Sequence, residues 1–379
     1  MGQETWDVIV IGAGPGGSAA GMDLARAGFK VKILEKAQII PEGRYKACGG
    51  ALAWEIVDQT TLPQELIERE IQCLDLHHMD GEVFHKVGRG AVVWRSVFDK
   101  YLLDLALRAG CKLSENDPLL HLEQKSLVQD GQQFNYLVRS RAGNYACKYV
   151  VAADGVNSPT LKLLGFPPFA ADALVLTITQ EIRVGASKIS SELGSDKVHL
   201  FFGIKDLIER GYAWLFPKKD TITVGWGNTL SLIRGNSVRE AFQKFLDLPL
   251  TKIALQGGEL LRDKPHIIPV GLRAEFARDR VLGVGDAIGA VDPISGKGIP
   301  YAILSGQAAA RCIKYAADQG KDEQLPQHYT KAINTKFGTV LRLKVALRNK
   351  MFSSDENLKK YLKLWETHHS SEILAQKLF

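Results

Sequence analysis

Long apolar runs are missing from this 379-residue chain: no stretch approaches the roughly 18 consecutive apolar residues that a membrane helix needs, which excludes a helical membrane-spanning protein. Cysteine is sparse and its pattern suits no framework. Cys48, Cys73, Cys111, Cys147 and Cys312 are odd in number and none form a CxxC pair, so a disulfide scaffold and a structural zinc site are not expected and a reducing compartment is. The nine histidines include His77-His78 and His368-His369 but no HExxH, and no metal site is expected. Charge of one sign is also scarce. The 48 Lys+Arg against 42 Asp+Glu leave a net +6, too mild an excess to suggest a nucleic-acid partner. A polar stub before Trp6 has no leader-like apolar core, so the expected location is cytoplasmic.

Glycine, by contrast, is plentiful at 36 residues, and its placement carries the argument. Asp7-Val8-Ile9-Val10-Ile11 is short, β-branched and almost wholly apolar, as in a strand buried on both faces of a parallel sheet. Gly12-Ala13-Gly14-Pro15-Gly16-Gly17 ends that strand and opens an Ala-rich helix through Arg26. Gly28 stops the helix, and Lys30 to Leu34 forms a second strand, completing a βαβ unit. Arg95 to Ala109 has the spacing of an amphipathic helix. Short alternating runs between Leu119 and Val151, broken by Asp130-Gly131 and Ala142-Gly143, predict a small antiparallel layer. Strand-rich sequence from about Leu174 to Trp226 predicts a second, mostly antiparallel domain. Val281 to Val284 is another buried strand, and the rest is helical.

Gly12, Gly14 and Gly17 follow a strand, open a helix and precede Glu35 at the end of the next strand. That context turns a weak GxGxxG into a dinucleotide cradle. The first glycine permits the tight turn, the second admits a pyrophosphate, and the third lets helix and strand pack closely. The helix dipole then faces the phosphates, and Glu35 accepts from ribose hydroxyls.

Two distant segments decide which dinucleotide. Ala152-Ala153-Asp154-Gly155-Val156-Asn157-Ser158 and Gly283-Val284-Gly285-Asp286-Ala287 resemble the second and third fingerprints of the flavoprotein family that includes p-hydroxybenzoate hydroxylase. That resemblance implies FAD, with Asp286 on the ribityl chain. Arg95, in Arg95-Ser96-Val97-Phe98-Asp99, matches an Arg-x-x-Phe-Asp pattern in which the Arg approaches the flavin. The fold class expected is α/β: a discontinuous, Rossmann-like FAD-binding βαβ domain, an inserted mostly antiparallel β-sheet substrate domain (an α+β second domain), and a helical C-terminus. Its parts are residues 1–75, 95–170 and 271–320 for the FAD-binding domain, 76–94 and 171–270 for the substrate domain, and 321–379 for the C-terminal region.

Four features resemble the geranylgeranyl reductase family, flavoenzymes that saturate isoprenoid double bonds. They are Lys46-Ala47-Cys48-Gly49-Gly50, Tyr212-Ala213-Trp214-Leu215-Phe216-Pro217, Gly285-Asp286-Ala287-Ile288-Gly289, and Asp292-Pro293 with Gly296-Lys297-Gly298-Ile299. The resemblance runs from about Asp7 to Gln307, and it departs at Lys297, where members often carry Glu. It implies an FAD-dependent oxidoreductase in which reduced flavin delivers hydride from N5 to a prenyl alkene. NADPH, reduced ferredoxin or another redox protein supplies the electrons. The cofactor-binding set implied is Gly12, Ala13, Gly14, Pro15, Gly17, Glu35, Lys36, Ala47, Cys48, Gly49, Arg95, Asp154, Asp286, Gly298 and Ile299. The helix after Gly298 points its N-terminus at the flavin, with Lys297 either adding charge there or reaching solvent. Tyr212, Trp214 and Phe216 share one strand face and form an apolar wall for the isoprenoid, unless they are ordinary core. Cys48 and Tyr212 are the candidate proton donors, with simple packing the plainer role for Cys48.

The same fold also hosts aromatic and quinone monooxygenases. The absence of His after Gly285-Asp286-Ala287 and of Gly-Leu-Asn near Gly298 argues against that chemistry. A non-redox cyclase and an FAD or prenyl-lipid carrier rank below it. From Gln324 to Ser354 there is no acid, while Lys331, Lys336, Arg342, Lys344, Arg348 and Lys350 are basic and apolar residues are interspersed. This reads either as a helix meeting a membrane surface peripherally or as a basic helix packed on the FAD domain.

Overall fold

The computed structural model describes residues 4–129, 131–203, 208–233 and 237–367. The chain opens with β1 (Glu4–Ile11), α1 (Pro15–Arg26) and β2 (Val31–Leu34), then β3 (Ala51–Ala53), α2 (Trp54–Thr60), β4 (Arg69–His78) and β5 (Val83–Val92). Next come α3 (Arg95–Arg108), β6 (Lys112–Ser114), β7 (Leu119–Gln129), β8 (Gln132–Ser140), β9 (Asn144–Ala152) and α4 (Pro159–Leu163). The middle of the chain forms β10 (Leu174–Arg183), α5 (Ala186–Leu193), β11 (Lys197–Phe202), β12 (Gly211–Pro217), β13 (Thr221–Thr229), α6 (Ser237–Leu246), α7 (Pro249–Leu255) and β14 (Glu259–Pro269). It closes with β15 (Ala277–Arg278), β16 (Val281–Gly283), α8 (Ile299–Gln319), α9 (Leu325–Ile333), α10 (Thr339–Met351) and α11 (Asp355–Thr367).

These elements form two units. The first holds Met1–Arg44, Ser96–Ala170 and Pro269–Arg342, and its sheet runs β15-β16-β9-β1-β2-β6. β1 is central, paired in parallel with β2 (Val8 beside Val31) and β9 (Ile9 beside Val150). Its β-branched run is buried on both faces, as the apolar pattern predicts. Val8 and Val10 pack with α1, α8 and α9 side chains, while Ile9 and Ile11 pack under the β7–β8 hairpin through Leu122, Tyr136 and Val138. The antiparallel layer is therefore β7, β8 and the start of β9.

The second unit holds Tyr45–Arg95, Ala171–Ile268 and Leu343–Phe379, with an eight-stranded sheet in the order β14-β10-β13-β12-β11-β4-β5-β3. It is mostly antiparallel; β11 and β4 run parallel. Ile178, Ile182, Ala213, Leu215, Val224 and Trp226 face α5, α6 and α7 to make its core.

Two boundaries differ from the sequence expectation. Residues 45–75 contribute β3, α2 and β4 to the second sheet and do not belong with the first unit. A β-bulge between Ile71 and Cys73 breaks the period-two pattern there, which hides β4 from pattern reading. Residues 321–342 stay with the first unit, because Leu325, Tyr329, Ile333, Phe337 and Leu341 complete its helical core. In the basic C-terminal segment Leu341, Leu347 and Met351 are buried, as are Lys344 and Arg348, while Leu343 is exposed. No helix of the described residues is long and apolar enough to cross a membrane.

Candidate functional site

In the first unit, Gly12 adopts φ +105°, where a Cβ would stand 2.4 Å from the Ala153 carbonyl oxygen. A Cβ on Gly17 would stand 2.0 Å from the Gly12 oxygen, so strand, turn and helix close only without side chains there. Gly14 is the N-cap of α1 and no side chain caps that helix, leaving its N-terminus open to an anion. Glu35 is buried, accepting from the Ala13 N–H at 2.9 Å and the Ala37 N–H at 3.0 Å. Arg44, not foreseen, donates to both Glu35 oxygens at 3.2 and 3.3 Å. Its Nη2 would lie 3.1 Å from a Cβ on Gly14, and its Nε is buried without a partner among the described residues. A half-buried guanidinium with one orphaned donor beside an uncapped helix N-terminus fits a pyrophosphate. Lys36 is exposed.

The Asp-Gly and Gly-Asp segments meet at the far ends of β9 and β16. Asp154 accepts from Ser158 Oγ at 2.5 Å and from the Thr160 N–H at 2.9 Å, and burial pushes its carboxyl up. Its carboxylate thus shapes its own loop. Asp286 sits in a 3-10 turn, and its Oδ1 would be 3.7 Å from a Cβ on Gly298, the N-cap of α8. The structure therefore brings Asp286, Gly298 and Ile299 together. No side chain caps α8, and Lys297 is exposed. Arg95 opens α3 and is half-buried.

Arg273, which no motif marks, pins these segments. Its guanidinium donates to the carbonyls of Ala287 (2.8 Å), Pro167 (2.5 Å) and Val156 (3.3 Å), and its Cζ lies 4.0 Å from the Phe169 ring centroid. Arg273→Met strands three carbonyls, and we expect a loss of about 3 kcal/mol in stability. Thermal denaturation with and without FAD checks this; an unaltered midpoint in both would remove the assigned role.

In the second unit, Tyr212, Trp214 and Phe216 alternate with Ala213 and Leu215, which join the core. Ring centroids 6.0 Å (Tyr212–Trp214) and 6.5 Å (Trp214–Phe216) apart make a continuous aromatic ridge. Opposite them on β13 stand Gly227, Gly225 and Thr223, and beyond on β10 Thr177, Thr179 and Glu181. The Trp214 indole lies across Gly225, where a Cβ would come 2.0 Å from Cζ2. Aromatic ridge and small-residue trough run side by side. The Cys48-Gly49 loop joins this face, for a Cβ on Gly49 would come 2.1 Å from the Phe216 ring. Cys48 is a half-buried free thiol.

Sequence reading missed the charged end of this face. Lys218 continues the alternation after Phe216 and is 1% exposed. Its Nζ donates to Thr223 Oγ1, approaches the Gly49 carbonyl at 3.5 Å and lies 4.3 Å from the Trp94 ring centroid. Burial pulls its pKa down to about 8, opposed in part by Glu181. Glu181 is itself buried, and burial pushes its carboxyl up against the pull of Lys218 and Arg262. Arg262 Nε, on a largely exposed side chain, is 3.7 Å from Glu181. The signal available in sequence was a lysine in phase with the aromatic wall.

A second grouping lies elsewhere on this sheet. Cys73, Asp75, His77, His85 and His199 approach one another across β4, β5 and β11, and local spacing does not reveal them. Asp75 already takes His85 at 2.7 Å and Lys197 at 3.0 Å, which balances its charge.

Residues 5–206 match the family model described as FAD binding domain. A digeranylgeranylglycerophospholipid reductase of Methanococcus aeolicus is 30% identical over 312 residues, covering 81% of this chain and 76% of that protein. A geranylgeranyl diphosphate reductase of Synechocystis is 26% identical over 389 residues, covering 98% and 90%. The solved structure of a geranylgeranyl bacteriochlorophyll reductase-like protein from Thermoplasma acidophilum superposes with a TM-score of 0.85 at 25% identity, covering 100% of this chain and 97% of that one. With the cradle, the Gly-Asp turn and the aromatic strand all present, the chain belongs to the geranylgeranyl reductase family of FAD-dependent oxidoreductases.

Proposed function

We propose that this protein saturates C=C bonds in an isoprenoid chain of geranylgeranyl type, using electrons that a pyridine nucleotide or a reduced ferredoxin delivers to bound FAD. One observation carries the substrate assignment: a sheet face with an aromatic ridge, a glycine trough beside it and the buried Lys218 ammonium at its end. A hydrocarbon offers dispersion and shape alone, so a ridge of aromatic rings set edge-on and tilted to one another beside Gly225 and Gly227 is suited to orient it. Gly12 to Gly17, Glu35, Arg44 and Asp286 would hold FAD, which when bound and reduced would supply a hydride for one alkene carbon.

The neighbouring carbon needs a proton, and an unactivated alkene has no carbonyl to spread developing charge. Lys218 Nζ holds that proton in this reading. It is dry, it shares the face of the aromatic ridge, and it titrates near neutrality because burial disfavours its charged form. Glu181, with the solvent-reaching Arg262 beside it, marks the polar side from which solvent returns a proton to the lysine. Cys48 and Gly49 shape the roof over Phe216 in this reading, with Cys48 packing and not donating.

The test is anaerobic. The FAD-loaded protein is reduced with dithionite, mixed with a geranylgeranyl compound, and the product weighed. A gain of two hydrogens per flavin reoxidised supports the reductase. Product carrying oxygen after air is admitted would replace it with a monooxygenase, and unchanged prenyl compound would leave neither.

A further inference from the structure

Arg348 on α10 is 2% exposed, yet its Nε and Nη1 meet no acceptor among the described residues. Its Nη2 donates to the Asp172 carbonyl at 3.2 Å. A buried guanidinium with orphaned donors is costly unless something anionic completes it. The groups around it sharpen the point. Among the described residues, Arg210 is close enough to repel it, and the exposed Asp172 carboxylate offsets part of its charge.

Arg210 ties this charge to the substrate face. Its backbone extends the β12–β13 ladder: Thr229 donates to the Arg210 carbonyl from N at 3.2 Å and from Oγ1 at 3.0 Å, and the Arg210 N–H donates to Asn228 Oδ1 at 3.0 Å. Strand alternation then puts Arg210 in phase with Tyr212, Trp214, Phe216 and Lys218. At ~3.3 Å per residue, roughly 20 Å of strand separates Arg210 from Phe216, a span suited to a geranylgeranyl chain laid along the ridge.

We infer that Arg348 and Arg210 form the head-group end of the substrate slot, binding the phosphate or diphosphate of a prenyl lipid while the ridge holds its chain. This rests on the reductase reading for the chain's position and on the orphaned guanidinium for the anion. Guanidinium forks match phosphate oxygens two at a time, which explains why arginines stand here.

The experiment compares the FAD-loaded wild type with Arg348→Gln and Arg348→Lys, using geranylgeranyl diphosphate, geranylgeraniol and inorganic pyrophosphate as probes. We expect Arg348→Gln to lower the ratio of kcat/KM for diphosphate over alcohol by roughly 10- to 100-fold, with Arg348→Lys restoring part of it. Pyrophosphate should compete with the prenyl diphosphate. An unchanged ratio in the folded, flavin-bound variants overturns the site. Non-competitive inhibition by pyrophosphate overturns it as a head-group site and makes it one for free phosphate. If the wild type reduces neither prenyl compound, the reductase reading fails alone; calorimetry then decides the anion site. Pyrophosphate uptake by the wild type that Arg348→Gln lacks supports it, and no uptake by the wild type ends it.

Discussion

Lys218→Met protein is expected to bind FAD and accept electrons from dithionite like the wild type, yet to reoxidise with a prenyl substrate roughly 100- to 10,000-fold more slowly. The lysine is the ionisable group in phase with the aromatic ridge that burial has brought near neutral pH, with a pKa of about 8. It carries its proton below that pH and loses it above. Wild-type reoxidation should therefore be level at low pH and fall as pH rises through about 8, whereas the Met variant should be slow and level throughout. Lys218→Arg separates charge from proton: a guanidinium keeps the charge but holds its proton too tightly to give it up. Glu181 raises the lysine's pKa, so Glu181→Gln should move the alkaline fall to lower pH. A lysine that merely held the Gly49 loop would slow the reaction with no change in the pH profile. Cys48→Ser should keep both the flavin and most of the turnover; a loss matching that of Lys218→Met would transfer the donor role to the thiol.

What could be read from the chain alone divides along a physical line. The cradle from Gly12 to Gly17, Glu35, the Gly-Asp turn and the Tyr212-Trp214-Phe216 strand are local devices, in which spacing along the chain is nearly the geometry itself. Asp154 was legible as a motif, but its carboxylate is engaged by Ser158 and Thr160, a use that the motif does not announce. Arg44, Lys218, Arg273 and Arg348 were invisible because sequence patterns count every Arg and Lys as solvated. Burial here comes from distant segments: Gly49 and Trp94 enclose Lys218, and the carbonyls of Val156, Pro167 and Ala287 enclose Arg273. On α10 the buried Lys344 and Arg348 interrupt the apolar stripe, so the pattern alone does not mark which side of the helix is buried. The bulge after Ile71 did the same to β4.

Asp286→Ala is expected to shed FAD, with affinity weakened by roughly 10- to 100-fold if the carboxylate accepts from the ribityl chain through charge-assisted hydrogen bonds. A second role must be separated from that one. Asp286 stands close to Gly298 at the N-terminus of α8, where a negative charge stabilises the helix by about 0.3–1 kcal/mol whether or not a ligand is bound. Thermal denaturation distinguishes them. A ligand that binds only the folded state adds RT ln(1 + [L]/Kd), about 2.7 kcal/mol at a hundredfold excess over Kd. If Asp286 holds the cofactor, the FAD-free midpoint falls slightly and the increment produced by a fixed FAD concentration shrinks sharply. If it only complements the helix dipole, the FAD-free midpoint falls and the increment stays whole. Lys297→Met is the matched control. Its side chain is exposed, so removing its charge should alter neither quantity, and a large loss of FAD there would mean that the loop cation does more for the cofactor than its exposure allows.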